Sequence, residues 1–331
     1  MIQNNMQNSE ISPVQPIPVY ILAGFLGSGK TTLLARLLED VQRVGKKAAV
    51  LMNEVGDVNL DGLAVDSDIP MKELLSGCIC CTVSGDLGME LLRLSDEHQP
   101  DVIFVECSGV ANPMELLEGV TEASLLFRMD VRGVVTVMDS AFLSEQLEKA
   151  AEGKGKTYRL LKDQLRAASL IVLNKIDLVS EEKLDRIRSL IGEWNTHTSV
   201  KETIRCELDP ALIWGLNGTR AILTSEDEDT AKPKFRVLNE SHSHVMVYTH
   251  YMTRPVDSEA FEAFMSEMPA EVYRAKGILT FVDTTSRFMF QYAYRQLDFL
   301  KIMPQREVPD VAVFIGENLE TEWLRAKLEA L

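Results

Sequence analysis

Residues 24–32 read GFLGSGKTT, and no other stretch constrains this chain as tightly. Gly24, four residues and then Gly29-Lys30-Thr31 make the phosphate-loop pattern, which requires a strand feeding into it and a helix leaving it. Both flanks comply. Ile17–Ala23 is a short apolar run closed by glycine, and Lys30–Val44 sets Leu33, Leu34, Leu37, Leu38 and Val41 at helical spacing. Gly24, Gly27 and Gly29 let the backbone curl around Ser28 so that amide N–H groups point at phosphate oxygens. The helix N-terminus adds its partial positive charge. Lys30 then reaches the β- and γ-phosphates, and Thr31, followed by Thr32, offers a hydroxyl to Mg2+. A chance match in a tight turn is the competing explanation, and the strand–loop–helix context weighs against it.

The pattern continues downstream. Ala48–Met52, Val102–Glu106, Val131–Val137 and Leu170–Leu173 are further apolar strands, and Leu87–Leu94 has helical spacing. Apolar strands separated by helices imply a parallel sheet covered on both faces. Near Ser225–Lys234 the chain turns to TSEDEDTAKPK, charged and without aliphatics, which is linker composition. Beyond it, Val245–Tyr251, Ile278–Val282 and Phe288–Tyr294 suggest strands and Ser258–Met268 an amphipathic helix. The expected architecture is therefore α/β: a P-loop G domain with a mostly parallel sheet over 17–228, then a smaller α+β domain over 235–331. Residues 1–16, polar and proline-rich, are expected to fray.

Charge narrows the function. Fifty acidic against 34 basic residues leave a formal net charge of −16. Such a balance disfavours nucleic acid, whose phosphates need basic patches, and anionic membranes. No apolar run is long enough to span a bilayer, and the N-terminus lacks the pattern of a signal peptide. A cytoplasmic location is the expectation.

Residues 174–177 read NKID, directly after the strand LIVL. A carboxylate such as Asp177 only accepts hydrogen bonds. Guanine presents two adjacent N–H donors and adenine does not, so GTP is favoured over ATP. Lys175 can lay its stem along the base, and Asn174 can brace the loop. Two acidic segments are candidates for the γ-phosphate region. Glu54 and Asp57 follow the second strand, and Glu106 ends the strand VIFVE, where an acid can hold Mg2+ directly or through water. A solvated turn is the plain alternative for Glu54 and Asp57. It is weaker for Glu106, which ends a buried parallel strand where ligands bind.

Cys78, Cys80 and Cys81 sit in SGCICC. Three thiolates within four residues form a soft, compact ligand set suited to Zn2+, with Co2+ and Cu(I) chemically open. Such a set leaves one coordination position for another ligand. A thioredoxin-like pair, Cys78 with Cys81, and inert cysteines are the alternatives. Cys107 and Cys206 stand alone. His242 and His244, in SHSH, share a strand face if extended, and are more simply surface histidines.

Taken together, GFLGSGKTTLL, NEVGDVNLDG, SGCICC, VECSGVANP and LNKIDLV, in that order, resemble the CobW-type family of metal-chaperone GTPases, and RAKGIL at 274–279 looks like its carboxyl-terminal domain. The resemblance implies adjacent nucleotide and metal sites. Cys78, Cys80 and Cys81 would hold the cargo metal, and Gly24–Thr32 the phosphates and Mg2+. Glu54 and Glu106, with Lys30, would line the catalytic region, and Asn174, Lys175 and Asp177 would read guanine. It further implies a GTP-hydrolysing metallochaperone that delivers zinc to a client apoprotein, with Co2+ or Fe2+ as other cargoes. A metal-sensing regulator, or an insertion factor for cobalamin synthesis or nitrile hydratase maturation, are its alternatives. Two departures are visible. Cys107-Ser108-Gly109 replaces the family's Thr-Thr-Gly or Thr-Ser-Gly, and the interdomain stretch is acidic rather than histidine-rich, which argues against a metal reservoir.

Overall fold

The computed structural model describes residues 15–53, 69–73, 83–150, 155–196, 198–216, 245–284, 286–304 and 307–331. Glu54, Asp57, the three clustered cysteines, His242, His244, the expected linker and residues 1–14 of the expected tail lie outside them.

The first sheet contains β1 (Ile17–Ala23), β2 (Ala48–Asn53), β3 (Met71–Glu73), β4 (Val102–Cys107), β5 (Met129–Asp139), β6 (Leu170–Asn174) and β7 (Val200–Thr203). Their order is β3-β2-β4-β1-β5-β6-β7, and each neighbouring pair is parallel. Alternation decides which side chains go where. Val19, Ile21 and Ala23 of β1 join a cluster with Leu87, Leu91 and Leu94 of α2 (Val83–His98) and Leu116, Leu117 and Val120 of α3 (Pro113–Leu126). Tyr20 and Leu22 face the other way, onto Leu33, Leu34, Leu37 and Leu38 of α1 (Lys30–Arg43) and Trp214 of the short α7 (Ala211–Trp214). A further cluster lies under α4 (Ser140–Ala150), α5 (Lys156–Arg166) and α6 (Glu181–Trp194), against Ile171 and Leu173 of β6. Burial on both faces explains why β1, β4 and β6 read as continuous apolar runs.

The second sheet is antiparallel, in the order β11-β10-β9-β12-β8. It comprises β8 (Val245–Tyr251), β9 (Val272–Thr280), β10 (Arg287–Ala293), β11 (Gln296–Ile302) and β12 (Val311–Glu317). One face carries α8 (Ser258–Ser266) and α9 (Thr321–Ala330) over an aromatic core that includes Phe261, Phe264, Phe290 and Phe314. The other face, through Val245, Val247, Ile278, Val311, Val313 and Ile315, shares one apolar cluster with α3 and β5 of the first unit.

One expected strand moves. Ile278–Val282 is displaced to Val272–Thr280, because Arg274 and Lys276, charged residues ahead of the apolar run, are strand residues with partners across the interface. Arg274 Nη1 lies 2.6 Å from Glu118 Oε1, and Lys276 pairs with Glu122, both acids on α3. Tyr251 Oη donates to Met129 O at 2.7 Å, and the Arg128 guanidinium stacks over its ring, 5.0 Å from the centroid. No helix among the described residues is long and apolar enough to cross a membrane.

Candidate functional site

The phosphate loop leaves the carboxyl end of β1, the central strand. Ligands bind at such carboxyl ends in parallel sheets, where the strand order changes direction. Here the chain passes from β1 to one side (β2, β3, β4) and then crosses to the other at β5. Gly24, Gly27 and Gly29 have φ of 136°, 74° and 112°, the left-handed region that favours glycine. Space forbids a side chain as well: a Cβ on Gly24 would lie 2.1 Å from Val137 O, and one on Gly29 2.6 Å from Asn174 Nδ2. Gly29 caps α1 without any side-chain hydrogen bond, and the first turn holds no acid. The helix therefore presents its opening N–H groups and positive dipole end to the loop, which fits an anion.

Lys30 is buried, with Nζ 3.4 Å from Phe25 O, folded over its own loop. Thr31 Oγ1 donates to Glu106 Oε1 at 3.1 Å, so the hydroxyl from the helix and the acid ending β4 already meet. A hydroxyl and a carboxylate oxygen in contact are the hard oxygen ligands that Mg2+ takes. Thr32 is exposed, and Ser28 is buried.

The NKID segment locks onto this loop. Asn174, at the end of β6 and 2% exposed, donates through Nδ2 to Ser28 O at 2.9 Å. Its Oδ1 accepts from Cys206 N at 2.9 Å and from Thr203 Oγ1 at 3.2 Å. Lys175, left-handed at φ 61°, donates through Nζ to Gly27 O at 2.7 Å and to Asp139 Oδ2 at 2.6 Å. Asp139 also caps α4, accepting from Phe142 N at 3.0 Å. Asp177 lies in a 3-10 turn (Ile176–Leu178) and is exposed. A braced loop that holds an outward carboxylate can hydrogen-bond a ring bearing paired N–H donors.

Asp139 and Thr203 were not singled out by the sequence, and Cys206 was read there only as a cysteine standing alone. Asp139 carried a usable signal, since it ends an apolar strand as Glu106 does. Thr203 and Cys206 carried none: β7 is the four-residue run VKET, and Cys206 is placed by left-handed turns at Arg205 and Cys206. Cys206 is fully buried, its Sγ 3.4 Å from Gly29 O, and burial pushes its thiol pKa up to about 11. Cys107 is also fully buried in the apolar cluster, and burial raises its thiol above the ordinary range. A thiol held protonated is a poor metal ligand. No group of three His, Cys, Asp or Glu able to hold a metal ion occurs among the described residues.

β3 ends at Glu73 at the same carboxyl edge of the sheet, three strands from β1. At the spacing of neighbouring strands that is roughly 14 Å.

Two family profiles match the chain. The one described as CobW/HypB/UreG, nucleotide-binding domain, covers residues 18–202. The one described as Cobalamin synthesis protein cobW C-terminal domain covers 246–331. Among curated relatives, the chain is 28% identical to the zinc chaperone YjiA of Escherichia coli, over 96% of this chain and 99% of that protein. It is 31% identical to a zinc chaperone CobW from Sinorhizobium, over 80% and 78% respectively. It is 30% identical to the zinc-regulated GTPase metalloprotein activator 1 of Schizosaccharomyces pombe, over 94% and 82%.

Proposed function

The chain belongs to the CobW/HypB/UreG family and carries the CobW C-terminal domain as well, and from that membership we propose that it is a GTP-hydrolysing metallochaperone. Its cargo is a transition metal, zinc by preference, taken at Cys78, Cys80 and Cys81 and handed to a client apoprotein. The observation that carries the nucleotide part is the locking of Asn174 and Lys175 onto the phosphate loop, with Asp177 left exposed beside it. The names of the three relatives speak of zinc, and none of cobalt or iron.

In this reading Gly24–Thr32 hold the phosphates, Thr31 and Glu106 hold Mg2+, and Lys30 balances charge on the transferred phosphate. Glu54 and the turn after Glu106 close on the γ-phosphate, and the hold of Cys78, Cys80 and Cys81 on the metal tightens with them. Hydrolysis removes those contacts and loosens the thiolates. Coupling of this kind is reciprocal, so metal tightens GTP binding by the factor that GTP tightens metal binding.

The test is an anaerobic zinc titration of the full chain with Mg2+ and either a non-hydrolysable GTP analogue or GDP, repeated on Cys80→Ala and Cys81→Ala. The expected result is one tight site with the analogue, weaker with GDP and lost in both variants. Equal affinity in the two nucleotide states, or binding that survives both substitutions, would refute the chaperone cycle.

A further inference from the structure

Gln164 lies on the buried stripe of α5, beside Leu161 and Leu165, and is wholly inaccessible to solvent. A leucine there would complete the stripe. A carboxamide in that position costs free energy unless its polar atoms find partners. Its Nε2 donates to Gly109 O at 3.3 Å, across 55 residues of chain. The Gly109 carbonyl can only accept, which assigns the NH2 group to that side. Its backbone carbonyl accepts from Thr136 Oγ1 at 3.0 Å, which ties this turn of α5 to β5. Its Oε1 is buried and has no hydrogen-bond partner among the described residues. One bond made and one acceptor unsatisfied is a poor exchange for stability alone.

The partner explains the choice. Gly109 and Val110 are the central residues of the turn Ser108–Ala111, closed by Ala111 N donating to Ser108 O at 3.0 Å. This turn joins Glu106, in contact with Thr31, to Asn112, which caps α3 by accepting from Met114 N. It also packs on the phosphate loop: a Cβ on Gly109 would lie 2.6 Å from Leu26 N. The Gly109 carbonyl belongs to the turn's central peptide, whose N–H, on Val110, points the opposite way. Fixing that carbonyl fixes the direction of the N–H.

We propose that Gln164 is a positioning residue for GTP hydrolysis, holding the Gly109–Val110 peptide so that the turn after Glu106 keeps its backbone donors aligned beside the phosphate loop. The assignment rests on the GTPase reading above. A group acting only on the transition-state geometry of that turn affects turnover, whereas GDP, which has no γ-phosphate, is blind to it.

The experiment compares wild type, Gln164→Met and Gln164→Asn in the full chain. Met keeps the length without hydrogen bonds, and Asn keeps the carboxamide but withdraws it by one methylene. Steady-state GTP hydrolysis, GDP affinity by titration and thermal unfolding are measured for each. In the folded variants kcat falls at least about tenfold while KM for GTP and Kd for GDP stay within about twofold. If Gln164→Met fails to fold, the Gln164→Asn values decide. A kcat within about twofold of wild type in a folded variant overturns the assignment, as does an equal loss in kcat and GDP affinity. Wild-type protein that neither binds nor hydrolyses GTP overturns the GTPase reading itself, a result distinct from either.

Discussion

Replacing Asn174 by alanine removes three hydrogen bonds from a side chain that is 2% exposed. Two of the groups left behind cannot turn to other partners: the carbonyl of Ser28 and the amide of Cys206, both in fully buried residues. The Thr203 hydroxyl can rotate away. Each stranded buried backbone group costs about 1–3 kcal/mol. Water entering the vacated space recovers part of this, so the expected loss is about 2–4 kcal/mol of unfolding free energy. For a unit of this size, each kcal/mol lowers Tm by roughly 2–4 °C, which puts the shift at roughly 4–16 °C. The assay is urea unfolding of wild type, Asn174→Ala and Asn174→Asp, with and without GDP. Asn174→Asp keeps the acceptor for Cys206 and Thr203 but sets a carboxylate against the Ser28 carbonyl, so it damages the phosphate-loop side selectively. Both variants lose part of the stabilisation that GDP confers on wild type. If Asn174→Ala unfolds within about 0.5 kcal/mol of wild type, the scale of an inconsequential surface change, the side chain is not the brace described here.

Two further outcomes are expected. Lys276→Ala leaves Glu122 facing the second sheet without its cation and is expected to cost about 1–3 kcal/mol. The charge-swapped double variant, Lys276→Glu with Glu122→Lys, should recover part of that loss, and a double-mutant cycle on unfolding midpoints checks it; strict additivity would mean the pair carries no coupling. His250 is half-buried beside Tyr248, with Nδ1 3.2 Å from its hydroxyl, and burial lowers its pKa below the ordinary imidazole value. A lowered folded-state pKa gives stability that is present above the unfolded value and lost as pH falls through the folded one. Unfolding midpoints taken at about pH 7.5 and about pH 5.5 should therefore drop more for wild type than for His250→Asn; parallel curves would contradict the assignment.

Much of the first sheet was legible because burial on both faces writes strands as apolar runs. β1, β2, β4, β5 and β6 all appear where such runs occur, and the glycines of the phosphate loop sit at φ values that name glycine in advance. β7 and β11 were not legible. The first is four residues with two charges, and the second, Gln296–Ile302, is an edge strand exposed along much of its length, so neither leaves an apolar signature. The phosphate loop and NKID were recognisable as local patterns, but nothing in either names the other as its partner.

What the sequence determined by itself was the local chemistry: a loop only glycines can make, an acid at a strand end, a carboxylate just after another strand, and three cysteines within four residues. These are properties of neighbouring residues, set by backbone sterics and side-chain chemistry over a few positions. Tertiary structure alone decided which distant groups meet. Asn174 reaches Ser28 across 146 residues, Gln164 reaches Gly109 across 55, and Arg274 reaches Glu118 across 156. The reason is physical: a hydrogen bond has no reach along the chain, so its partner is set by the order in which a parallel sheet stacks its strands and helices.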